Sequence, residues 1–193
     1  TRRTTDPERI QALRQEMKRR DLDAFIVPKA DEHQGEFVAR RSERLQWLTA
    51  FTGSAGSAVV MTRKAAVFVD GRYTLQVKKQ VTAKLFEAHH ATVTSQATWL
   101  ADNLSAGTRV GFDPWLITDN ERNRLEKITE KAGAHLVALS ATPLNAVWPG
   151  QPASPISPMP PHPAKHARQT PQNKPPLLLP PRAKPPPPRA GAT

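Results

Sequence analysis

Three side chains that could hold a metal or move a proton, Asp31, His33 and Glu36, fall within six residues of a polar stretch beginning at Lys29. Hard divalent cations take oxygen donors, and acid–base chemistry needs a carboxylate or imidazole within reach of the reacting proton. The spacing lacks the two histidines one helical turn apart that build a zinc peptidase site. Local structure places no second ligand pair beside these three, so a solvated loop is the simpler reading. His89 and His90 are neighbours in an extended stretch. Their side chains then face opposite sides and cannot share one ion. The chain has no cysteine, which excludes disulfides, thiolate metal sites and cysteine nucleophiles. Nothing marks a serine nucleophile elbow.

Two glycine-containing segments could shape a site. Phe51-Thr52-Gly53-Ser54-Ala55-Gly56-Ser57 is a turn before a strand. A phosphate cradle needs its glycines to open a helix and a Lys-Ser or Lys-Thr pair after them. Here a strand follows and the lysine is missing. Gly53 and Gly56 therefore serve a turn, through positive φ or close backbone approach. Asp70-Gly71-Arg72-Tyr73 lies where a strand meets a helix, a common site position in α/β sheets. The competing reading is architectural: Asp70 caps the helix, Gly71 turns the chain, and Arg72 and Tyr73 anchor the loop.

These segments must be carried by the elements around them. Thr5-Asp6-Pro7-Glu8 has the spacing of a capping box, and Ile10, Leu13 and Met17 follow at helical intervals. Ala24–Val27 is a short apolar run ended by Pro28 and reads as a buried strand. A helix is predicted from about Glu36 to Leu48. Ser57–Met61 and Ala65–Val69 read as a hairpin about Thr62-Arg63-Lys64. Further helices are predicted over 72–81, after Ser95, and from Thr118 to Gly133; further strands over 84–88, 109–112 and 135–139. Helices and strands alternate around one hairpin. That order predicts an α/β fold, a mixed β-sheet flanked by helices. The expected core holds Phe25, Val27, Val59, Val67, Val69, Val110, Phe112 and Val137.

Composition divides the chain. After Glu130 there is no Asp or Glu for 63 residues, and 16 of the 20 prolines lie in residues 149–193. The net charge of +11 divides into +5 for residues 1–148 and +6 for the rest. We therefore expect a folded domain over 1–148 and a basic, proline-rich, disordered tail over 149–193, where little apolar area offsets the entropy of ordering. No run approaches the 18 or so apolar residues of a membrane span. The start, Thr1-Arg2-Arg3, is not followed by an apolar signal segment, and the missing methionine suggests a trimmed or incomplete start. A cytoplasmic location is the expectation.

The motifs taken together resemble a known family. Phe25–Pro28, Asp31-Glu32-His33-Gln34-Gly35-Glu36-Phe37, Phe51–Ala58, Asp70–Gln76, Arg109–Pro114 and Asn145-Ala146-Val147-Trp148 occur in this order and register. They resemble the N-terminal, creatinase-like domain of Xaa-Pro aminopeptidase (aminopeptidase P, the cytosolic three-domain type of peptidase family M24). The resemblance covers about residues 8–163. It implies a metallopeptidase family that removes an N-terminal residue preceding proline. It also implies a second domain and a catalytic domain holding two divalent metals, usually manganese, none of whose ligands lie in this chain. In such a protein this domain is non-catalytic and shapes the substrate entrance and a homodimer. His33, Gln34, Glu36, Gly53, Gly56, Asp70, Gly71, Arg72 and Tyr73 carry the family motifs, with architectural or entrance roles. The chain alone is expected to have no catalytic residue, metal or other cofactor of its own.

The resemblance ends near Ala164, where proline, basic and small residues replace an acid-containing linker. A stretch without Asp or Glu cannot hold two hard cations. We expect the origin of this composition to be a reading-frame shift near codon 164, or a damaged gene. The alternative is a stand-alone interaction module, whose tail binds acidic partners or nucleic acid through its Lys and Arg, or SH3-like domains through Arg182-Ala183-Lys184-Pro185-Pro186-Pro187-Pro188. The tail has no aromatic residue for stacking on bases, which weighs against nucleic acid.

Overall fold

A computed structural model describes residues 5–156. The tail beyond them lies outside the described residues, and with it the frame-shift junction near Ala164 and the proline run after Arg182.

The first helix, α1 (Pro7–Arg19), is capped by Asp6, whose carboxylate accepts the Glu8 N–H at 2.9 Å, with Pro7 at the first helical position. The spacing Thr5–Glu8 predicts Thr5 as the cap. Its hydroxyl is engaged elsewhere. It donates to the Thr49 carbonyl at 2.8 Å and accepts the Thr82 N–H at 3.0 Å, in a buried position. Strand β1 (Ala24–Pro28) follows. The helix predicted over 36–48 reduces to a 3₁₀ turn (Arg40–Ser42) and α2 (Arg44–Thr49). Only Leu45 and Leu48 have a core to face, whereas Phe37 stands in solvent, so residues 36–39 gain nothing from helical pairing.

The hairpin forms as predicted, from β2 (Gly56–Met61) and β3 (Ala65–Val69). A 3₁₀ turn (Gly71–Tyr73) leads into α3 (Thr74–Gln80). Strand β4 (Glu87–His90) begins three residues later than predicted, because Ala83–Leu85 form the turn entering it. The chain then gives α4 (Gln96–Asn103, capped by Ser95), β5 (Arg109–Phe112) and α5 (Asp119–Lys131, capped by Thr118). It closes with β6 (His135–Ala138) and α6 (Pro143–Val147).

The six strands form one mixed sheet in the order β4-β3-β2-β1-β5-β6. Strand β2 is antiparallel to β1 and β3, whereas β3–β4, β1–β5 and β5–β6 are parallel. Five strands thus run one way and β2 alone runs back. Alternate residues feed two cores. Phe25, Val27, Ala58, Val60, Val67 and Val69 meet Leu13, Met17, Leu45, Leu48 and Leu144 on one face. Ile26, Val59, Phe68, Val110 and Phe112 meet Trp99, Leu100 and Leu125 on the other. Of the expected core, Val137 is only partly buried; it lies on β6 at the sheet margin and packs against the first cluster.

Chain order continues past α6. The Trp148 ring stacks on Trp47 at 5.3 Å, Gln151 donates to the Arg41 carbonyl at 2.8 Å, and Arg41 donates to the Ser154 hydroxyl.

Thr5→Val keeps the shape of the side chain and removes both of its hydrogen bonds. It should lower stability by about 1–3 kcal/mol in urea unfolding, the cost of leaving buried polar partners unsatisfied, with Thr5→Ser recovering most of it. Equal stability of Thr5→Val and the parent would show that the hydroxyl ties nothing.

Candidate functional site at one edge of the sheet

The parallel strands end at a common edge, and the reversed strand β2 begins there. The loops after β1, β3, β4 and β5 and the turn before β2 therefore meet on one side of the molecule. Register fixes this closely: Pro28 stands opposite Ser57, Gly56 opposite Val69, and Val69 opposite His90. The edge of a sheet outside the strand carboxyl ends is the usual site position in α/β folds.

The loop after β1 is ordered by its own polar groups. Asp31 is buried, and its carboxylate accepts the N–H of His33 at 3.0 Å and of Gly35 at 3.4 Å. Gln34 has φ +54 and donates from its side chain to the Asp31 carbonyl at 3.1 Å. Asparagine-like side chains tolerate this left-handed region; for glutamine it is an uncommon conformation. The Lys29 N–H donates to the Gly56 carbonyl at 3.0 Å, and its ammonium pairs with Glu43.

The glycine turn is required by close approach. Gly53 and Gly56 both have negative φ, since positive φ among the described glycines occurs only at Gly107, Gly133 and Gly150. A Cβ on Gly53 would overlap the buried Phe51 ring, and one on Gly56 would lie 2.9 Å from the Phe68 carbonyl oxygen. Phe51 in turn meets the edge of the Tyr73 ring at 5.5 Å.

Above this ring the three motif loops join. Ser54 donates its hydroxyl to a Glu36 carboxylate oxygen at 3.0 Å, so the Tyr73 hydroxyl, 2.8 Å away, donates to Ser54. When Tyr73 ionises, the Ser54 hydroxyl can turn to donate to the phenolate; this, helped by the nearby Arg72 charge, holds the phenol below its ordinary pKa. Asp70 caps the 3₁₀ turn by accepting the Arg72 N–H at 2.9 Å. It also takes the Arg72 side chain through Nε at 3.0 Å and Nη2 at 2.6 Å. The Arg72 guanidinium lies 5.2 Å over the Tyr73 ring. Its side chain is 65% exposed, and Nη1 makes no hydrogen bond among the described residues. Two contacts thus fix the plane of this cation while one amino group faces out. The hydrogen bond from Arg72 holds the Asp70 carboxyl below the usual range. Gly71 leaves room for His90: a Cβ there would come within 2.9 Å of its Nε2.

His33 stays apart from this network, with its side chain 81% exposed. Asp31, His33 and Glu36 are not brought together, because Asp31 turns inward to its own loop and Glu36 is held by Ser54. Among the described residues no group of three or more His, Asp or Glu side chains could hold a metal ion. The carboxylates of this edge do not fit a dinuclear site. Sequence reasoning missed Ser54 as the link between loops, and also missed Arg44. Arg44 is buried, donates from Nε to Asn145 at 3.1 Å, and leaves Nη1 without a partner. Nothing in its local sequence distinguishes it from the neighbouring Arg40 and Arg41.

A mixed six-stranded sheet with helices on both faces and its motif loops gathered at one edge defines a creatinase/prolidase-type N-terminal domain. Residues 9–144 match the Creatinase/Prolidase N-terminal domain, and the chain belongs to that family. Its relatives by sequence are Xaa-Pro aminopeptidases. It is 38% identical over 140 residues to Xaa-Pro aminopeptidase 2 of Homo sapiens, covering 72% of this chain and 21% of that protein. It is 39% identical over 130 residues to aminopeptidase P2 of Arabidopsis thaliana, covering 66% and 18%. The chain therefore spans about a fifth of the length of these curated relatives, and the family it matches is that of the N-terminal domain. The X-prolyl aminopeptidase of Caenorhabditis elegans, a cytosolic enzyme with a di-nuclear active site, superposes with a TM-score of 0.71 at 25% identity, over 76% of this chain and 26% of that one. The N-terminal domain of the cytoplasmic peptidase PepQ from Mycobacterium tuberculosis shares the fold, with a TM-score of 0.57 at 20% identity, covering 74% of this chain and all of that one. No described helix is long and apolar enough to cross a membrane.

Gly53→Ala should destabilise the domain by about 1–3 kcal/mol, since the buried Phe51 ring must shift. A lowered denaturant midpoint at constant m-value checks it. The Asp70–Arg72 pair has a defined acid limit. A carboxyl depressed in the folded state contributes stability above its unfolded pKa of about 3.9, and that contribution is lost as pH falls through the lower folded value. Carbon-13 NMR should show Asp70 titrating below the ordinary range, and Arg72→Gln should return it there. An unchanged Asp70 midpoint in Arg72→Gln would contradict the assignment.

Proposed function

We propose that this domain serves as the non-catalytic entrance domain of an Xaa-Pro aminopeptidase. The sheet edge described above would face the path of the peptide and the remaining domains. One observation carries the reading. Between residues 5 and 155 four large apolar side chains stand exposed: Phe37 at 85%, Leu75 at 72%, Val93 at 81% and Trp115 at 74%. Phe37, Val93 and Trp115 lie in the segments that follow β1, β4 and β5, and Leu75 lies in the first turn of α3, after β3 and three residues from Arg72. Six strands at about 4.8 Å make that edge roughly 24 Å wide. Apolar groups rimmed by polar ones mark interaction surfaces. The outward Nη1 of Arg72 offers two N–H donors suited to a peptide carbonyl or carboxylate.

On this reading the dinuclear centre, using manganese, and the second domain belong to the rest of the protein, while this domain helps to shape a homodimer. The compartment is the cytoplasm. The division of the chain into a domain and a basic, proline-rich tail belongs to the same proposal.

The purified chain should release no N-terminal residue from an Xaa-Pro peptide in the presence of manganese. Turnover that follows the protein through purification would overturn the non-catalytic reading. In a chimera carrying residues 1–148 in place of the matching domain of a full-length relative, Arg72→Ala should raise KM about fivefold and leave kcat within about twofold, the pattern of lost uniform binding. An unchanged KM would place Arg72 outside the peptide path.

A further inference from the structure

A cleft of about 770 Å³ opens between α1, α2 and the segment after α6. Its walls are Arg9, Arg40, Gln46, Trp47, Trp148 and the prolines at 149 and 152. Its volume falls in the range of ligand sites, about 300–1,000 Å³. Trp47 and Trp148 are both half-buried and stack with 21° between their planes. The Arg9 guanidinium lies 5.0 Å over Trp47, which fixes that ring from the side of α1. Pro149 and Pro152 are exposed, and Gly150, with φ +67, turns the chain between them. The result is an apolar surface of two indoles and two pyrrolidines.

The polar groups are asymmetric in charge. Glu43 also lines the cleft, but it is paired with the nearly buried Lys29 ammonium. Arg9 pairs with Asp6 at 3.5 Å. Arg40 makes no ion pair among the described residues, and the Gln46 side-chain amide makes no hydrogen bond among them. The cleft thus holds uncompensated positive charge and free donors beside flat apolar rings. Extended proline-rich segments suit such a surface. Their rings lie against aromatic faces, their carbonyls have no internal partner, and little ordering entropy is lost on binding.

We propose that this cleft binds an extended proline-containing peptide segment flanked by Asp or Glu, with its prolines against Trp47 and Trp148 and its acid on Arg40. Nothing in this cleft depends on the edge at Arg72.

The test uses the full chain labelled with nitrogen-15 and three short peptides. One alternates Asp or Glu with proline pairs, one carries lysine for each acid, and one carries alanine for each proline. The four indole N–H signals, from Trp47, Trp99, Trp115 and Trp148, are assigned by single Trp→Phe changes. The acidic proline peptide should move the Trp47 and Trp148 signals saturably and leave Trp99 in place. Arg40→Glu, a change at an exposed position, should weaken binding about fivefold or more while leaving the other indole signals where they are. The alanine peptide should bind at least about tenfold more weakly. Equal binding of the lysine peptide, no shift at millimolar acidic peptide, or shifts confined to Trp99 or Trp115 would each overturn the proposal.

Discussion

The reversal of one strand governs the rest of this structure. Because β2 runs against β1 and β3, the long segment 29–55 leaves and rejoins the sheet at the same edge. A parallel pair would have needed a crossover to the far end. The same reversal delivers β3 back to that edge through a three-residue hairpin, so the corner at Asp70 arrives beside the glycine turn. Close packing then requires a missing side chain at Gly53, where the Phe51 ring fills the space beneath the loops. The bonds among Glu36, Ser54 and Tyr73 are possible only because these backbone paths converge.

The chemistry of the edge follows from how its charges are engaged. Asp31 satisfies its own loop, Glu36 accepts a hydrogen bond from the Ser54 hydroxyl, and Asp70 holds Arg72. Carboxylates committed to N–H and O–H donors are not free to bridge cations. What the edge presents outward is one oriented guanidinium among exposed apolar residues. That is the chemistry of contact, and it agrees with a family in which the matched segment is the N-terminal fifth of a larger enzyme.

Much of this was legible in the sequence because local signals agreed with the global fold. The run Ala24–Val27, the hairpin about Thr62–Lys64, and the caps at Ser95 and Thr118 each carry a mechanism that tertiary contacts did not override. The motif residues were named, but their roles were not all readable. That Gly53 needs close approach, not positive φ, depends on a ring two residues away folding under it. The helix predicted over 36–48 failed because pattern alone could not show that Phe37 has no core to meet. Thr5 shows the same limit. A capping-box spacing was present, yet two long-range backbone partners claimed its hydroxyl. Arg44 was invisible for a like reason, since burial of one arginine among three is decided by α6.

Helix α1 packs against α6, so the first helix made is completed by the last. Leu13 and Met17 share their cluster with Leu144. Strand β1 likewise gains its parallel neighbour only when Val110 and Gly111 are available. On a ribosome adding about 5–20 residues per second, α1 would wait on the order of ten seconds for its partner. During that interval the part of its apolar stripe that meets Leu144 lacks its cover and is open to chaperones or to aggregation. The cluster is therefore completed late, and nascent chains stalled before Leu144 should be the aggregation-prone ones.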